Sequence, residues 1–214
     1  MSEAYIKLEK VSKKFKQHTV LKPLTISFEK GMIHGIIGRN GSGKTVMLKL
    51  ICGLLLPTSG TVTVNGKVIG KDVDFPQNIG IIIETTGFIP YLSAKQNLMN
   101  LAAIRKVAGK NEVDDVLETV GLEYVGKKKV GKFSLGMKQR LAIAQAIMEE
   151  PELIILDEPM NGLDKRGVED IRQLLLDLKE KGTTILLASH NMEDIRYLCD
   201  KVYEMDAGVL TELE

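Results

Sequence analysis

The chain has 214 residues, which is enough for one substantial α/β domain, with or without a smaller inserted subdomain, and leaves little room for two independent large domains. Its 29 Lys and Arg nearly balance its 28 Asp and Glu, so no global positive field favours nucleic acid as a partner. No aliphatic run approaches the roughly 20 apolar residues that span a bilayer, and the N-terminus lacks a continuous apolar signal segment, so we expect a cytoplasmic protein.

The N-terminal part of the chain predicts strands, then a loop and a helix. The first 36 residues alternate apolar and polar positions, as in Leu24, Ile26 and Phe28, which predicts short antiparallel strands. The run Ile33–Ile37 is rich in isoleucine and leads into a glycine-rich turn. After that turn, apolar residues recur at helical spacing from Met47 to Leu54. The order is therefore strand, loop, helix.

The middle of the chain changes from strands to helices. Thr61–Ile69 carries an Asn-Gly pair at its centre and predicts a hairpin, because that pair adopts the positive φ angles of a tight turn. From about Ser93 to Glu149 the apolar residues recur at helical spacing in three successive segments. We interpret 88–150 as an inserted helical subdomain. The core of the domain, with its antiparallel β subdomain, would then consist of 1–87 and 151–214.

The last part of the chain alternates strands and helices again. Leu153–Leu156 and Thr183–Ala188 are apolar strands, a helix is predicted between them, and Val202–Leu210 predicts one or two closing strands. Continuously apolar strands between helices imply a parallel sheet that is covered on both faces. The predicted fold is therefore α/β, with a mostly parallel sheet, an N-terminal antiparallel β subdomain and an inserted α-helical subdomain.

One segment between a predicted strand and a predicted helix matches the P-loop pattern, GxxxxGK followed by Ser or Thr, and so predicts a P-loop NTPase core. Glycines let successive N–H groups point at phosphate oxygens, and the dipole of the following helix favours negative charge. The alternative is a plain glycine turn, which the flanking strand and helix disfavour. Lys44 is expected to bridge the β- and γ-phosphates, and the Thr45 hydroxyl to bind Mg²⁺. The residues predicted to bind nucleotide here are Gly38, Arg39, Asn40, Gly41, Ser42, Gly43, Lys44, Thr45 and Val46.

Two carboxylates follow the apolar strand Leu153–Leu156 directly. Open α/β sheets bind ligands at the carboxyl ends of their strands, which is where Asp157 and Glu158 stand. Side chains alternate in direction along a strand, so Asp157 can face Mg²⁺ while Glu158 faces an attacking water. The alternative is a strand-to-loop transition with no catalytic role. The P-loop in the same chain favours the catalytic interpretation over this alternative.

A third motif, Phe133–Arg140, reads FSLGMKQR. It resembles the signature of the ABC ATPase family, usually LSGGQ, although some of its positions differ. Ser134 and Gly136, the two residues closest to nucleotide in the family, match. Taken alone, Ser134 indicates only the N-cap of a helix. The P-loop, the signature and the acidic strand come in the family's order and spacing, and the resemblance covers nearly the whole chain.

Further residues match the family one by one. Asp164 closes the segment Pro159–Asp164, which resembles the D-loop, whose aspartate lies at the subunit interface. His190 resembles the switch histidine that contacts the γ-phosphate, and it follows a predicted buried strand, at the ligand edge of the sheet. Phe15 stands where the family commonly stacks an aromatic ring on adenine. A core side chain is the alternative for Phe15.

One position departs from the family. Where the family usually has the glutamine of the Q-loop, after a strand such as Ile79–Ile83, this chain has Glu84. Its carboxylate can approach Mg²⁺ and the attacking water, and it adds negative charge near the γ-phosphate, so its contribution should depend on the metal. In having Glu84 and in the sequence of its signature, the chain is similar to the subgroup that exports bacitracin, lantibiotics and related peptides.

The resemblance implies an ATP-binding and ATP-hydrolysing subunit of an ABC transporter, peripheral on the inner face of the cell membrane. It implies ATP and Mg²⁺ as ligands, with Thr45, Asp157 and Glu84 at the metal, and Lys44, Glu158, His190 and Glu84 in catalysis. Two copies would close head to tail with ATP at their interface, and a separate integral-membrane permease would carry the cargo. A soluble ABC ATPase of DNA repair or translation is the alternative function, and a purely regulatory nucleotide-binding module is a third.

Overall fold

The computed structural model describes residues 4–84 and 87–213, and within them the chain forms two β-sheets with helices packed around them. The strands are β1 (Ala4–Phe15), β2 (His18–Glu29), β3 (Ile33–Ile37), β4 (Ser59–Val64), β5 (Lys67–Val68), β6 (Ile79–Ile82), β7 (Leu153–Asp157), β8 (Thr184–Ala188), β9 (Lys201–Asp206) and β10 (Val209–Leu213). The helices are α1 (Lys44–Ile51), α2 (Ala94–Arg105), α3 (Lys110–Thr119), α4 (Leu135–Ile147), α5 (Lys165–Glu180) and α6 (Met192–Leu198).

The smaller sheet is antiparallel and has the strand order β2-β1-β4-β5. The N-terminal strands are thus antiparallel as predicted, but the expected short strands are wrong, because β1 and β2 have 12 residues each. The pairing of β1 with β2 shifts register between Leu8 and Val11, where Lys10 has a positive φ of 50°. Such a bulge interrupts the two-residue alternation without ending the strand, so the sequence pattern made one long strand resemble shorter ones.

The predicted hairpin is confirmed. Asn65 and Gly66 have φ angles of 47° and 73° and connect β4 to β5. The pair that closes the turn is Val64 with Lys67, so the loop has two residues. Positive φ at both central positions is the requirement of a type I′ turn, and Asn-Gly meets it with little strain.

The larger sheet has the order β10-β9-β3-β8-β7-β6 among the described strands. All neighbours in it are parallel except the closing pair β9–β10, which is antiparallel, so the predicted mostly parallel sheet and closing strands are confirmed. The core strand β8 is buried along its full length. This order sets the carboxyl ends of β3, β8 and β7 side by side, and these three ends lead into the P-loop, Ser189-His190 and Asp157-Glu158.

Helices α2, α3 and α4 lie between β6 and β7, as the periodicity predicted. Their buried residues, including Leu98, Val116 and Leu141, belong to the same apolar cluster as Ile154 and Leu187 of the large sheet. The helical segment therefore packs onto the sheet through a shared core, while its boundaries at 88 and 150 stay a prediction. Within residues 4–84 and 87–213, no helix has the length and apolar character needed to cross a membrane.

Candidate nucleotide site

The loop between β3 and α1 has a backbone that only glycine tolerates at its two ends. Gly38 has a φ of 149°, and a Cβ there would lie 2.2 Å from the carbonyl oxygen of Met205. Gly43 is the N-cap of α1 with a φ of 115°, and a Cβ there would lie 2.8 Å from Cδ2 of Leu21. Both positions combine positive φ with close contact, which explains the glycines of the motif. The loop folds tightly against its neighbours and opens toward the N-terminus of α1.

Lys44 and Ser42 give this loop the character of an anion site. The buried Lys44 ammonium donates hydrogen bonds to the carbonyl oxygens of Gly38, at 2.6 Å, and Arg39, at 3.2 Å. These partners are uncharged, so the positive charge remains available to a phosphate. The Ser42 hydroxyl is buried and has no hydrogen-bond partner among the described residues. Buried polar groups are normally paired, and a phosphate oxygen would supply the missing partner.

A cavity of about 660 Å³ lies over the loop. It brings the P-loop together with the predicted catalytic and metal residues Glu84, Asp157 and Glu158. Three further lining residues were missed by the sequence analysis, namely Val20, Gln139 and Asn161. The full lining is Val20, Arg39, Asn40, Gly41, Ser42, Gly43, Lys44, Thr45, Val46, Glu84, Gln139, Asp157, Glu158 and Asn161.

Two of the three missed residues lie inside motifs that the sequence analysis had identified. Gln139 lies within the signature motif and Asn161 within the D-loop segment, so both stood in stretches already singled out. Val20 comes from β2 of the antiparallel sheet. The folding of that sheet over the P-loop brings it there, and no local pattern in the sequence marks it.

The predicted metal ligands meet in this cavity. The Thr45 hydroxyl donates a hydrogen bond of 2.6 Å to Oδ2 of Asp157. Hydroxyl and carboxylate oxygens suit Mg²⁺, which is typically bound through one or two carboxylates, water and substrate phosphates. In the described parts of the chain no three His, Cys, Asp or Glu side chains cluster to hold a metal by themselves. The residues therefore fit a magnesium ion that arrives with a phosphate.

Glu158 and His190 lie in contact because β7 and β8 are neighbours. The Glu158 carboxylate is 2.8 Å from Nδ1 of His190 and accepts a longer hydrogen bond, 3.5 Å, from the Ser189 hydroxyl. The Glu158 N–H donates to the carbonyl of Ala188 at 2.8 Å. Glu158 has a φ of 54°. A non-glycine residue in this region carries a strain of about 1–3 kcal/mol, and such strain concentrates at functional sites.

Phe15 lies beside the main cavity and is not a core side chain, since 43% of it is exposed. It lines a neighbouring cavity of about 600 Å³ that shares Thr45, Val46 and Glu84 with the main one. The Lys13 ammonium lies 5.0 Å from the centroid of the Phe15 ring. An exposed aromatic ring next to the phosphate loop fits stacking on a base, which stays a prediction.

Three residues of the signature and the D-loop, namely Ser134, Gly136 and Asp164, lie apart from the P-loop. Ser134 and Asp164 are the N-caps of α4 and α5, and their side chains accept hydrogen bonds from Met137 N–H at 3.2 Å and Gly167 N–H at 2.8 Å. Together with Gly136 they line a separate cavity of about 650 Å³. Among the described residues, the two linings have none in common. One chain therefore brings Gln139 of its signature to its own P-loop cavity, but not Ser134 or Gly136.

Known proteins resemble this chain in sequence over most of its length. Residues 21–161 match the family described as ABC transporter. The chain is 46% identical over 209 residues to the uncharacterized ABC transporter ATP-binding protein YybJ of Bacillus subtilis, covering 98% of this chain and 96% of that protein. It is 43% identical over 209 residues to the bacitracin transport ATP-binding protein BcrA of Bacillus licheniformis, covering 97% of this chain and 68% of BcrA.

A solved structure extends the comparison to the fold and the ligand. The dimeric post-hydrolysis state of the ATP-binding cassette MJ0796, bound to ADP and Pi, matches with a TM-score of 0.86 at 28% identity, over 98% of this chain and 99% of that one. The predicted fold class and the family resemblance are confirmed. These relatives support a transporter ATPase over a soluble ATPase of DNA repair or translation. The chain therefore belongs to the ABC transporter family, as an ATP-binding and ATP-hydrolysing subunit.

Proposed function

We propose that this chain works as a homodimer on the cytoplasmic face of the membrane, where it hydrolyses Mg-ATP to drive a separate permease that exports an antimicrobial peptide. The observation that carries the proposal is the separation of the two cavities. The P-loop lines one cavity, whereas Ser134 and Gly136 of the signature line another in the same chain. Two chains placed head to tail would join the P-loop of each with the signature of the other.

The dimer would complete the phosphate site with two helix N-termini from different chains. Lys44 and the start of α1 approach the phosphates from one chain. Ser134 and Gly136 stand at the start of α4 in the other chain, where free N–H groups and the helix dipole favour an anion. Asp164 would lie at the interface beside them. The similar MJ0796 cassette is dimeric with ADP and Pi bound, which supports a dimeric form of this chain.

The predicted chemistry needs mainly positioning and charge stabilisation. Mg²⁺ held near Thr45 and Asp157 would neutralise developing charge on the phosphates. Lys44 would bind the β- and γ-phosphate oxygens, and Glu158 would orient the attacking water. The contact between Glu158 and His190, 2.8 Å, keeps that carboxylate at the carboxyl edge of the sheet. Turnover would then depend on the dimer, while ATP binding would depend on the P-loop alone.

The permease would contact the helical subdomain, 88–150, and the groove beside it. The groove expected from the family runs near Glu84 to Tyr91, and Thr85 and Thr86 in it lie outside the described residues. Tyr91 is 68% exposed at the surface of that region. An exposed aromatic side chain there fits a docking site for a partner. The cytoplasmic location of the chain follows from its need for ATP and from this partner.

The proposed cargo rests on the relatives. BcrA is a bacitracin transport ATP-binding protein, and it is 43% identical to this chain. Glu84 and the signature, which resemble the subgroup that exports bacitracin and lantibiotics, point to the same kind of cargo. Because the permease would select the cargo, the proposal names only the class of cargo, bacitracin-like peptides, and the direction of transport, export.

The first experiment is affinity capture of tagged Glu158→Gln protein from detergent-solubilised cells in Mg-ATP. The substitution slows hydrolysis and so holds the ATP-bound complex together. We expect recovery of one polytopic membrane protein, whose deletion should sensitise the cells to a peptide antibiotic. Recovery of only ribosomal or DNA-bound proteins would contradict the transporter proposal and favour the soluble ATPase alternative.

A further inference from the structure

An ion pair joins the P-loop helix to the residue that departs from the family pattern. The Lys49 ammonium, on α1, donates a hydrogen bond of 2.7 Å to Oε1 of Glu84, just beyond β6. The Lys49 side chain is 25% exposed and that of Glu84 is 63% exposed. A pair this exposed contributes little to the stability of the fold. Its position suggests a role in the site.

The pair lies one helical turn from the predicted metal site. Thr45 and Lys49 are four residues apart on α1, so their side chains lie on one face of the helix. The Thr45 hydroxyl is bonded to Asp157, and the Lys49 ammonium is bonded to Glu84. Glu84 lines both the main cavity and the cavity of Phe15, whereas Lys49 lines the latter. The Glu84 carboxylate thus stands at the boundary between the two.

The backbone conformation of Glu84 indicates that this residue is held in place. Its φ is 61°, in the left-handed region that a glutamate rarely adopts. Strain of this kind persists where the surroundings hold the residue in place. Within the described residues, the Lys49 ammonium is the charged group that holds its carboxylate.

Charge gives the pair a function. Asp157, Glu158 and Glu84 all line the cavity that is to receive a polyphosphate. A third carboxylate repels the γ-phosphate until a metal ion offsets it. Lys49 places a positive charge directly on Glu84. The Lys49–Glu84 pair then has no net charge near ATP, like the glutamine that the family usually has at this position.

We infer that Lys49 is a positioning residue that holds Glu84 and offsets its charge, so that ATP can enter the site before the metal is in place. The inference rests on the proposed binding of ATP in the P-loop cavity. It adds a residue outside the family motifs to that site. The role of Lys49 exists only because residue 84 is a glutamate, so the two positions must be coupled energetically.

The test is a double-mutant cycle on ATP affinity, measured by equilibrium binding to the purified full chain in EDTA. We expect Lys49→Met to weaken ATP binding about two- to fivefold, the size typical of an exposed charge pair. In a Glu84→Gln background, Lys49→Met should have no effect, because the charge to be offset is gone. Adding Mg²⁺ should shrink the loss in Lys49→Met, since the metal then offsets Glu84. Lys49→Arg should retain the wild-type affinity.

Three results would overturn the inference. An equal loss in the wild-type and Glu84→Gln backgrounds would mean that Lys49 attracts ATP directly or only supports the helix. Unchanged affinity in Lys49→Met would mean that the pair has no effect on nucleotide. A loss that persists unchanged in Mg²⁺ would exclude charge compensation. Failure of the folded wild-type chain to bind ATP would be a different result, because it would overturn the nucleotide site itself.

Discussion

The P-loop edge of the large sheet and the signature face of α4 are built differently. At the sheet edge, residues far apart in sequence already contact each other, as Thr45 does Asp157 and as Glu158 does His190. At the signature face, the side chains of Ser134 and Asp164 accept hydrogen bonds from the first turns of their own helices and, within residues 4–84 and 87–213, from no other element. The first region is assembled within one chain, and the second would, on our proposal, be one half of a site shared by two chains. On our proposal, ATP binding depends on the first region alone and ATP turnover depends on both, so the two can be separated by mutation.

The largest effect is expected at the assembled region. Glu158→Gln should lower turnover about 10²- to 10⁴-fold, the usual contribution of a general base, while ATP affinity stays near wild type. Steady-state hydrolysis and equilibrium ATP binding measure the two quantities. Glu169→Gln, an exposed change of the same type on α5, should alter neither. Hydrolysis near the wild-type rate in Glu158→Gln would remove Glu158 from the mechanism.

Binding itself should fail when the P-loop cation is removed. Lys44→Ala should weaken ATP binding about 10- to 100-fold, since a hydrogen-bonded charge is lost from a buried anion site. Equilibrium binding with a fluorescent ATP analogue measures the change. Lys67→Ala, on the exposed β4–β5 hairpin, is the matched control and should bind normally. Equal affinities in Lys44→Ala and the control would contradict the P-loop assignment.

The signature region should lose turnover and keep ATP binding, unlike Lys44→Ala. Ser134→Ala should lower turnover about tenfold through a lost contact to phosphate across the dimer, with ATP affinity unchanged. It also removes an N-cap, which costs about 1 kcal/mol of folding free energy. Ser93→Ala removes the N-cap of α2 instead and serves as the control, because it should lower the thermal midpoint similarly and keep turnover. Weaker ATP binding in Ser134→Ala would place the signature in the site of its own chain.

A smaller effect is expected where the adenine ring of ATP is bound. Phe15→Ala should weaken ATP binding about two- to tenfold, the loss of one aromatic stacking contact, and should leave the affinity for inorganic triphosphate unchanged. Phe75, another exposed phenylalanine, is 57% exposed, and Phe75→Ala is the control. Competition binding measures both ligands. An equal loss for ATP and triphosphate would show that Phe15 supports the loop and does not touch the base.

The two regions also differ in how far the sequence predicts them. The P-loop, the acidic strand end and His190 follow buried strands, and the parallel order of those strands brings them together. That much follows from local patterns and the rule that ligands bind at the carboxyl ends of parallel strands. The separate cavity of the signature depends on how α4 and α5 pack, which no motif encodes.

Local sequence patterns do not predict three other features of the structure. The length of β1 and β2 was underestimated because a bulge at Lys10 breaks the alternation. Val20 reaches the nucleotide cavity through the folding of one sheet over another. The Lys49–Glu84 pair joins residues 35 positions apart, on elements whose contact only the tertiary fold determines. In the last two cases the missing information is a long-range contact.

The most direct test of the central claim mixes two variants. Lys44→Ala damages the P-loop and leaves the signature intact, and Ser134→Ala does the reverse. In a head-to-tail dimer of one chain of each, the intact P-loop meets the intact signature, so one complete site forms. We predict that the ATPase rate of the equimolar mixture exceeds the mean of the two separate rates. A mixture no faster than that mean would contradict the claim that each site is shared between two chains.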